Sequence, residues 1–524
     1  MKKIAIGYGF FCCLWASTLA CTKNNLPSGI SVKDTVTVRS IASSNPVLKG
    51  LAANPLIRLT IDVPATISNK KYQRIHCNIN AASVGDIQKI DVYQTGNTAF
   101  ATDNLLTSCS QLSSSFDIPV NLTVQPGVSF IWLSAVLKDG AAVNKKIEVH
   151  CTQLTDDAGN ASSVVETISP FAKLSGFAVR RAGDDGVNTF RIPGIITTDK
   201  GTLIAVYDIR YNNSADLPGY INIGMSRSTD SGRTWQSMKV IMSMGGPNDN
   251  SGIGDPCILF DAQTKKIWVA ALWSKGNHSI AGSGPGLLPE QTGQFMLANS
   301  SDDGLTWLTP TSITPQVKDP AWKIMFQGPG SGIVMQNGTI VFPAQYWDAS
   351  GIPYSSIVYS NDKGLSWKRG GSGAKSNTTE CQVVETTAGN LMLNMRDNRG
   401  SFRSVATTAN MGDAWQEHIT SYNTLTDPVC QGSFIKARVN TGNGLQDVLF
   451  FSNPNTSSGR YNITVKASLD MGQTWLPVNQ LLIDERNCYG YSSLTKIDDN
   501  TIGLLYEGVK EIYFVQIPVK DIIK

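Results

Sequence analysis

The chain has 524 residues, enough for more than one domain and a sizeable buried core. Charged residues are only 16% of the total and the formal net charge is +3, so the composition indicates neither a nucleic-acid partner nor another polyanion. Its 47 glycines, with plentiful Ser, Thr and Asn, suit a β-rich, loop-rich exported protein.

Lys2 and Lys3, an apolar run from Ile4 to Trp15 and small residues up to Ala20 form the pattern of an export signal (1–20), too short to span a membrane. Cys21 follows Thr18-Leu19-Ala20, and two readings stand. It accepts a lipid, as in bacterial lipoproteins, or the tripeptide is a plain A-x-A-like cleavage site. Either way the mature chain starts near residue 21, outside the cytoplasm: periplasmic, outer-membrane-anchored or secreted. Residues 21–45 read as a linker. From 46 to 170, alternating runs such as "LIRLTIDV", "IQKIDVYQ", "FIWLSAVL" and "KKIEVHCTQL" between polar turns predict a small β-sandwich. Beyond Cys21 come Cys77, Cys109, Cys151, Cys257, Cys381, Cys430 and Cys488, an odd set with no C-x-x-C spacing. That signals neither a zinc site nor a disulfide framework. Buried free thiols are expected, with a bridge among the first three as the alternative.

From 171 to 524 the rhythm changes. A polar turn followed by an apolar strand occurs six times: "KGTLIAVYD" at 200, "TKKIWVAALW" at 264, "NGTIVFPAQY" at 337, "AGNLMLNMRD" at 388, "QDVLFFSNP" at 446 and "DNTIGLLYEG" at 499. After each of the first five comes one copy of an eight-residue motif: STDSGRTW from Ser228, SSDDGLTW from Ser300, SNDKGLSW from Ser360, a worn TANMGDAW from Thr408 and SLDMGQTW from Ser468. All-β units of this length with a turn signature in each predict a six-bladed β-propeller, whose radial repetition leaves few exposed sheet edges. "SGFAVRRA" at 175–182 is the expected closing strand of the last blade. In the motif the Asp accepts amide hydrogen bonds of its own turn, the Gly supplies a positive φ and the Trp packs between strands, so the repeats define scaffold and not chemistry.

Chemistry is sought in residues that break the repeat. Arg191 in "NTFRIPGI", taken alone, reads as a structural ion-pair partner. "FRIP" upstream of a series of Asp boxes, however, resembles the bacterial exo-α-sialidase (neuraminidase) family over about 171–524. The resemblance implies hydrolysis of terminal sialic acid from glycoproteins, gangliosides and oligosaccharides, with no cofactor and no metal. It assigns the substrate carboxylate to Arg191, Arg396 in "NMRDNRG" and Arg460 in "SGRYNITVK". Guanidinium forks suit a carboxylate because they bind it in bidentate fashion and keep their charge. In "CYGYSSL" it assigns the nucleophile to Tyr491, with Tyr489 as the rival, and in "TTECQVVE" the partner base to Glu380 ahead of Glu385. A neutral tyrosine avoids the repulsion a carboxylate would meet at a carbon that already bears one. Asp216, in the loop "YNNSADLPGY", is the implied general acid/base on a mobile loop; Arg210 and Asp255 are implied contacts to the sugar ring.

Other features carry no chemistry. "GSGPG" at 282–286 lacks the Gly-Lys-Ser/Thr of a phosphate loop, and the histidines at 76, 150, 278 and 418 are scattered. Trp273, Phe295, Trp322, Tyr346 and Trp347 are candidates for the aglycone side of a pocket or for packing. Two other functions fit the same scaffold: a non-catalytic glycan-binding propeller, which predicts loss of Tyr491, Glu380 or Asp216, and a trans-sialidase using the same residues.

Overall fold

The computed structural model describes residues 35–167 and 171–524. The expected export signal, Cys21 and most of the expected linker lie outside the described residues. The chain is all-β, with a propeller-like arrangement of sheets behind an N-terminal β unit.

In the N-terminal unit, Ala161–Glu166, Thr37–Ala42, Asn54–Val63, Gly127–Leu137, Ile87–Thr95 and Leu105–Cys109 pair in that order, while Ser115–Val124, Lys70–Ile79 and Lys146–Asp156 form a second run. Period-two alternation drives the packing: in Ser115–Val124, Phe116, Ile118, Val120, Leu122 and Val124 are buried and their neighbours exposed. These side chains share one core with Leu59, Ile61, Ile75, Ile131 and Leu133. The unit starts earlier than expected. Thr37–Ala42, inside the segment read as linker, is already a strand, because Val38 and Ala42 point into the core. Cys77 and Cys151 are opposite each other in the ladder with their sulfurs 3.4 Å apart, unbridged.

Five sheets of four or five strands follow, and the repeated strands Leu203–Arg210, Lys266–Ser274, Ile340–Trp347, Asn390–Asp397 and Leu445–Pro454 each lie inside one of them. The sixth, Thr501–Glu507, lies between Ser492–Asp498 and Ile512–Pro518, and Ile512–Pro518 pairs with Ala172–Arg180. Thus the strand expected to close the last unit does pair there. Val47–Lys49 pairs along the other edge of Ala172–Arg180 and Lys146–Asp156 pairs with its first residues, joining this run to the N-terminal unit in one continuous sheet.

Side chains stitch the first strand of each sheet to its neighbours. Gln382 bonds Pro329 O and the Ser331 amide, Gln431 bonds Pro329 O and the Ser492 amide, Ser433 accepts the Leu494 amide, and Ser493 accepts the Ile195 amide. These buried polar side chains thus bond from sheet to sheet.

The eight-residue motifs close as anticipated. In the copy at Ser300, Asp302 accepts the Thr306 amide at 2.9 Å and its hydroxyl at 2.6 Å, and the Gly304 amide donates to Ser300 at 3.0 Å. Gly304 has φ +81°, and Asp303 before it also lies in the left-handed region at +62°. The tryptophans do more than expected: Trp235 packs edge-on to Phe514 and Trp367 edge-on to Trp268, so each ring wedges between its own sheet and a neighbouring one, the last run of the chain for Trp235 and the preceding sheet for Trp367.

Candidate active site

The first strand of a sheet starts, and the second ends, at the same end of the sheet, and the chemically unusual residues gather there. Arg191 and Ile192 sit near the start of Thr189–Thr197, Arg210 ends Leu203–Arg210, Asp255 is near the start of Gly252–Asp261, Glu380 near the start of Thr378–Thr387, and Arg396 near the end of Asn390–Asp397. Sequence positions far apart thereby meet at one mouth.

The Tyr491 hydroxyl donates a short hydrogen bond to Glu380 Oε1. Arg396 Nη1 donates to Glu380 Oε2 at 2.6 Å and to the Tyr491 oxygen at 3.1 Å. Burial, and next to it the Glu380 charge, push the tyrosine well above its ordinary pKa, with Arg396 and Arg191 opposing. The resting hydroxyl is therefore neutral and already aimed at a proton acceptor. Tyr491 is 6% exposed and backed by Ile192 and Cys430.

Arg191 lies between two aromatic faces, 4.9 Å from the Tyr489 ring and 5.1 Å from the Tyr491 ring. Tyr489, the rival nucleophile in the sequence, is thus a face for Arg191, whereas Tyr491 holds the base. Arg191 donates from Nε (3.0 Å) and Nη2 (3.4 Å) to Glu507, and Nη1 lies 3.5 Å from Asp216. Burial opposes its charge, but Glu507 and Tyr491 raise its pKa above the ordinary value, so it stays cationic. Arg396 is raised likewise, burial being outweighed by Glu380 and Tyr491. Arg460 lies 5.7 Å from the Tyr491 ring and braces two turns, donating to Tyr489 O at 2.9 Å and Val429 O at 3.3 Å.

Asp216 receives Arg210 Nη1 at 2.7 Å and is the most solvent-accessible member, its side chain 66% exposed. Burial would raise its pKa, but Arg210 and Arg191 outweigh that and lower it. Its loop makes contacts at two points. Tyr211 and Tyr220 stack at 4.2 Å across its neck, and Leu217 is buried with Ile221, Leu272, Ile324 and Phe326. The apolar Leu217 next to the polar Asp216 gives the loop one side to bury and one to present. Asp255 is raised well above the ordinary carboxylate value by burial and then by Asp208 and Asp216.

Two carboxylates escaped the sequence reading. Glu507 is fully buried and accepts from Arg191 and from the amides of Ile192 and Tyr491, both at 2.9 Å. Asp208 is 1% exposed; it accepts Arg210 Nε at 3.1 Å and Nη2 at 2.8 Å, and the Asp255 amide at 2.8 Å. Ile192 and Asp255 have φ of +56° and +59°, costly for non-glycine residues, and in both a buried carboxylate holds the strained amide. The signal was present as "VYD" and "LYE" inside two repeated strands, an acid after a tyrosine where the other repeats carry none.

Glu385, the lesser candidate, accepts the amides of Gln336 and Gly389 and caps turns. Of the candidate aglycone aromatics, Phe295 is fully buried, Trp322 and Tyr346 stack on each other at 3.8 Å, and Trp347 packs beside Leu217. Trp273 donates to Ser251 and Met244 O. All five are engaged in packing.

Comparison with known proteins follows this geometry. Residues 192–503 match the BNR repeat-like domain family, and residues 33–160 match the N-terminal domain of BNR-repeat neuraminidase. A sialidase of Bacteroides fragilis (strain YCH46) is 39% identical over 560 aligned residues covering 100% of both chains. A sialidase of Micromonospora viridifaciens is 34% identical over 334 residues, 62% of this chain and 50% of its own. The solved structure of the Hadza microbial sialidase Hz136 superposes with a TM-score of 0.84 at 36% identity, covering 93% of this chain and 100% of that one. An arginine-rich mouth holding a tyrosine paired with a glutamate, on a scaffold matched along its whole length, places the chain in the BNR-repeat sialidase family of glycoside hydrolases.

Proposed function

We propose that the protein is an exo-α-sialidase that removes terminal sialic acid from glycoconjugates with retention, through a tyrosyl-enzyme intermediate. The observation that carries this reading is the Tyr491 hydroxyl donating to Glu380 with Arg396 on its oxygen. Arg191, Arg396 and Arg460 receive the substrate carboxylate; Arg191 and Arg396 are held charged, as that task requires. Arg210 and Asp255 face the sugar ring. Asp216, the exposed carboxylate at the rim, protonates the departing glycosidic oxygen as Tyr491 attacks the anomeric carbon and passes its proton to Glu380. Asp216 then takes a proton from the water that attacks the anomeric carbon, while Glu380 returns its proton to the departing Tyr491 oxygen; this regenerates the enzyme and releases the sugar with its original configuration.

In the same reading the propeller has six blades. The run Ser492–Asp498, Thr501–Glu507, Ile512–Pro518 and Ala172–Arg180 supports a sixth, and the two runs of the N-terminal unit around one core support a sandwich. The basic and apolar start of the sequence supports export, with Cys21 as the candidate lipid acceptor.

The test is release of 4-methylumbelliferone from its N-acetylneuraminic acid glycoside by wild type and Tyr491→Phe, with and without lactose. Release by wild type and a loss of at least about 100-fold in the variant are expected. Sialyl-lactose as the main product would move the enzyme to the trans-sialidases. No release by folded wild type would overturn the hydrolase reading in favour of a glycan-binding propeller.

A further inference from the structure

Glu507 and Asp208 occupy matching places: each follows a tyrosine in the second strand of its sheet, each takes the Nε and Nη2 of an arginine, and each holds the strained amide of the neighbouring sheet. They differ in how closely the remaining nitrogen meets Asp216, Arg191 Nη1 standing off at 3.5 Å. With Nε and Nη2 on Asp208, the remaining nitrogen of Arg210, Nη1, donates to Ser214 O at 2.8 Å and to Asp216 at 2.7 Å. Arg210 is thus one cation shared between a buried carboxylate and the acid on the rim.

We propose that Asp208 is a positioning residue for proton transfer: by holding two nitrogens of Arg210 and offsetting its charge, it weakens the pull of that cation on Asp216, so Asp216 takes up the proton it must deliver more readily than it would beside an uncompensated guanidinium. The inference rests on the reading of Asp216 as general acid. Asp216 is faced by Arg210 and Arg191 of its own sheet, by Arg460 across the pocket and by Asp255 of the next sheet, which in turn faces Asp208 and Glu380. Asp208 is the carboxylate bonded directly to Arg210, the nearer of the two cations at Asp216, 2.7 Å away against 3.5 Å for Arg191. Removing its charge leaves Arg210 balanced mainly by Asp216, which then gives up its proton at lower pH. A residue that merely supported the fold would lower the rate without moving its pH dependence.

The experiment is the pH profile of kcat for wild type, Asp208→Asn and Asp216→Asn with two substrates. One is sialyl-lactose, whose sugar leaving group needs a proton; the other is the 4-methylumbelliferyl glycoside, whose phenol leaves with little help. For Asp208→Asn the alkaline limb with sialyl-lactose is expected to move down by about one pH unit, and the limb with the umbelliferyl substrate by clearly less. Asp208→Ser, also uncharged, serves if the amide variant does not fold. An unmoved limb, or an equal movement with both substrates, would overturn the proposal, the second result pointing to Asp255. Asp216→Asn tests the reading beneath it. If that variant keeps both the sialyl-lactose rate and the wild-type alkaline limb, Asp216 is not the acid; if its rate collapses while Asp208→Asn leaves the limb in place, only the positioning role fails.

Discussion

Glu507 joins Arg191, the amide of strained Ile192 and the amide of Tyr491 through one fully buried carboxylate. Replacing it by Gln removes the charge that balances a buried guanidinium. Glu507→Gln is therefore expected to lower unfolding free energy by about 3 kcal/mol or more, measured by denaturant titration. Because Arg191 is the proposed carboxylate ligand, the same variant should raise KM for sialyl-lactose more than it lowers kcat. Unchanged stability would mean that the pair is not formed as described. The residue also marks how far the sequence can be read. Tyr491, Glu380, Arg396 and Arg191 were legible because each sits in a short recognisable segment. Glu507 and Asp208 were not, because an acid at the end of an apolar strand acquires meaning only when a strand distant in sequence brings it a partner, Arg191 and the Ile192 amide for Glu507 and the Asp255 amide for Asp208. The packing of Leu217 beside Asp216 escaped for a similar reason, since its apolar partners lie on two other sheets.

The eight-residue motifs were the most legible elements, since Ser, Asp, Gly and Thr act within one turn. What lay beyond the turn was hidden: the wedge of Trp235 or Trp367 depends on an aromatic in a neighbouring sheet. Their carboxylates predict an acid response. The Thr306 hydroxyl and amide lower Asp302 to about 2, and the Ser366 hydroxyl and amide lower Asp362 to about 2, from 3.8. Both folded values lie below the unfolded one, so the unfolded chain binds more protons between them. The stabilisation is present above about pH 4 and lost as pH falls toward 2. Urea midpoints should drop across that window in the wild type and drop less in Asp302→Asn/Asp362→Asn; parallel curves would contradict the assignment. The worn copy needs no such correction, as Asn410 accepts the Ala414 amide at 3.0 Å and has no proton to gain in this range.

At the scale of the whole molecule, the junction between the N-terminal unit and the propeller was the least legible part. A linker was expected up to residue 45, whereas Thr37–Ala42 is a strand and Val47–Lys49 pairs with the same strand, Ala172–Arg180, that pairs with Ile512–Pro518. The short run "VLK" has too few residues to show periodicity, and its parallel partner lies far along the chain. Lys173 is buried at this junction, 5% exposed, donating to Ser43 O and, at 3.0 Å, to the Ser43 hydroxyl. Burial lowers its pKa from 10.5 to about 7, with Glu485 and Asp484 opposing. The sign follows: between about pH 7 and 10.5 the unfolded chain holds a proton that the folded chain has released, so this group makes stability rise with pH through that window. Below it, folding must bury a charged ammonium that lacks a carboxylate in hydrogen-bond contact. Lys173→Met keeps the length and apolar stem and removes the proton. Its unfolding free energy relative to wild type is expected to be most favourable near pH 6 and to decline steadily toward pH 10, as the wild-type lysine loses its charge in the fold. Because other groups titrating over the same range are common to both proteins, the difference between their denaturation curves isolates Lys173. A pH-independent difference would mean that the lysine stays charged at the junction and that its bonds to Ser43 carry the contact instead.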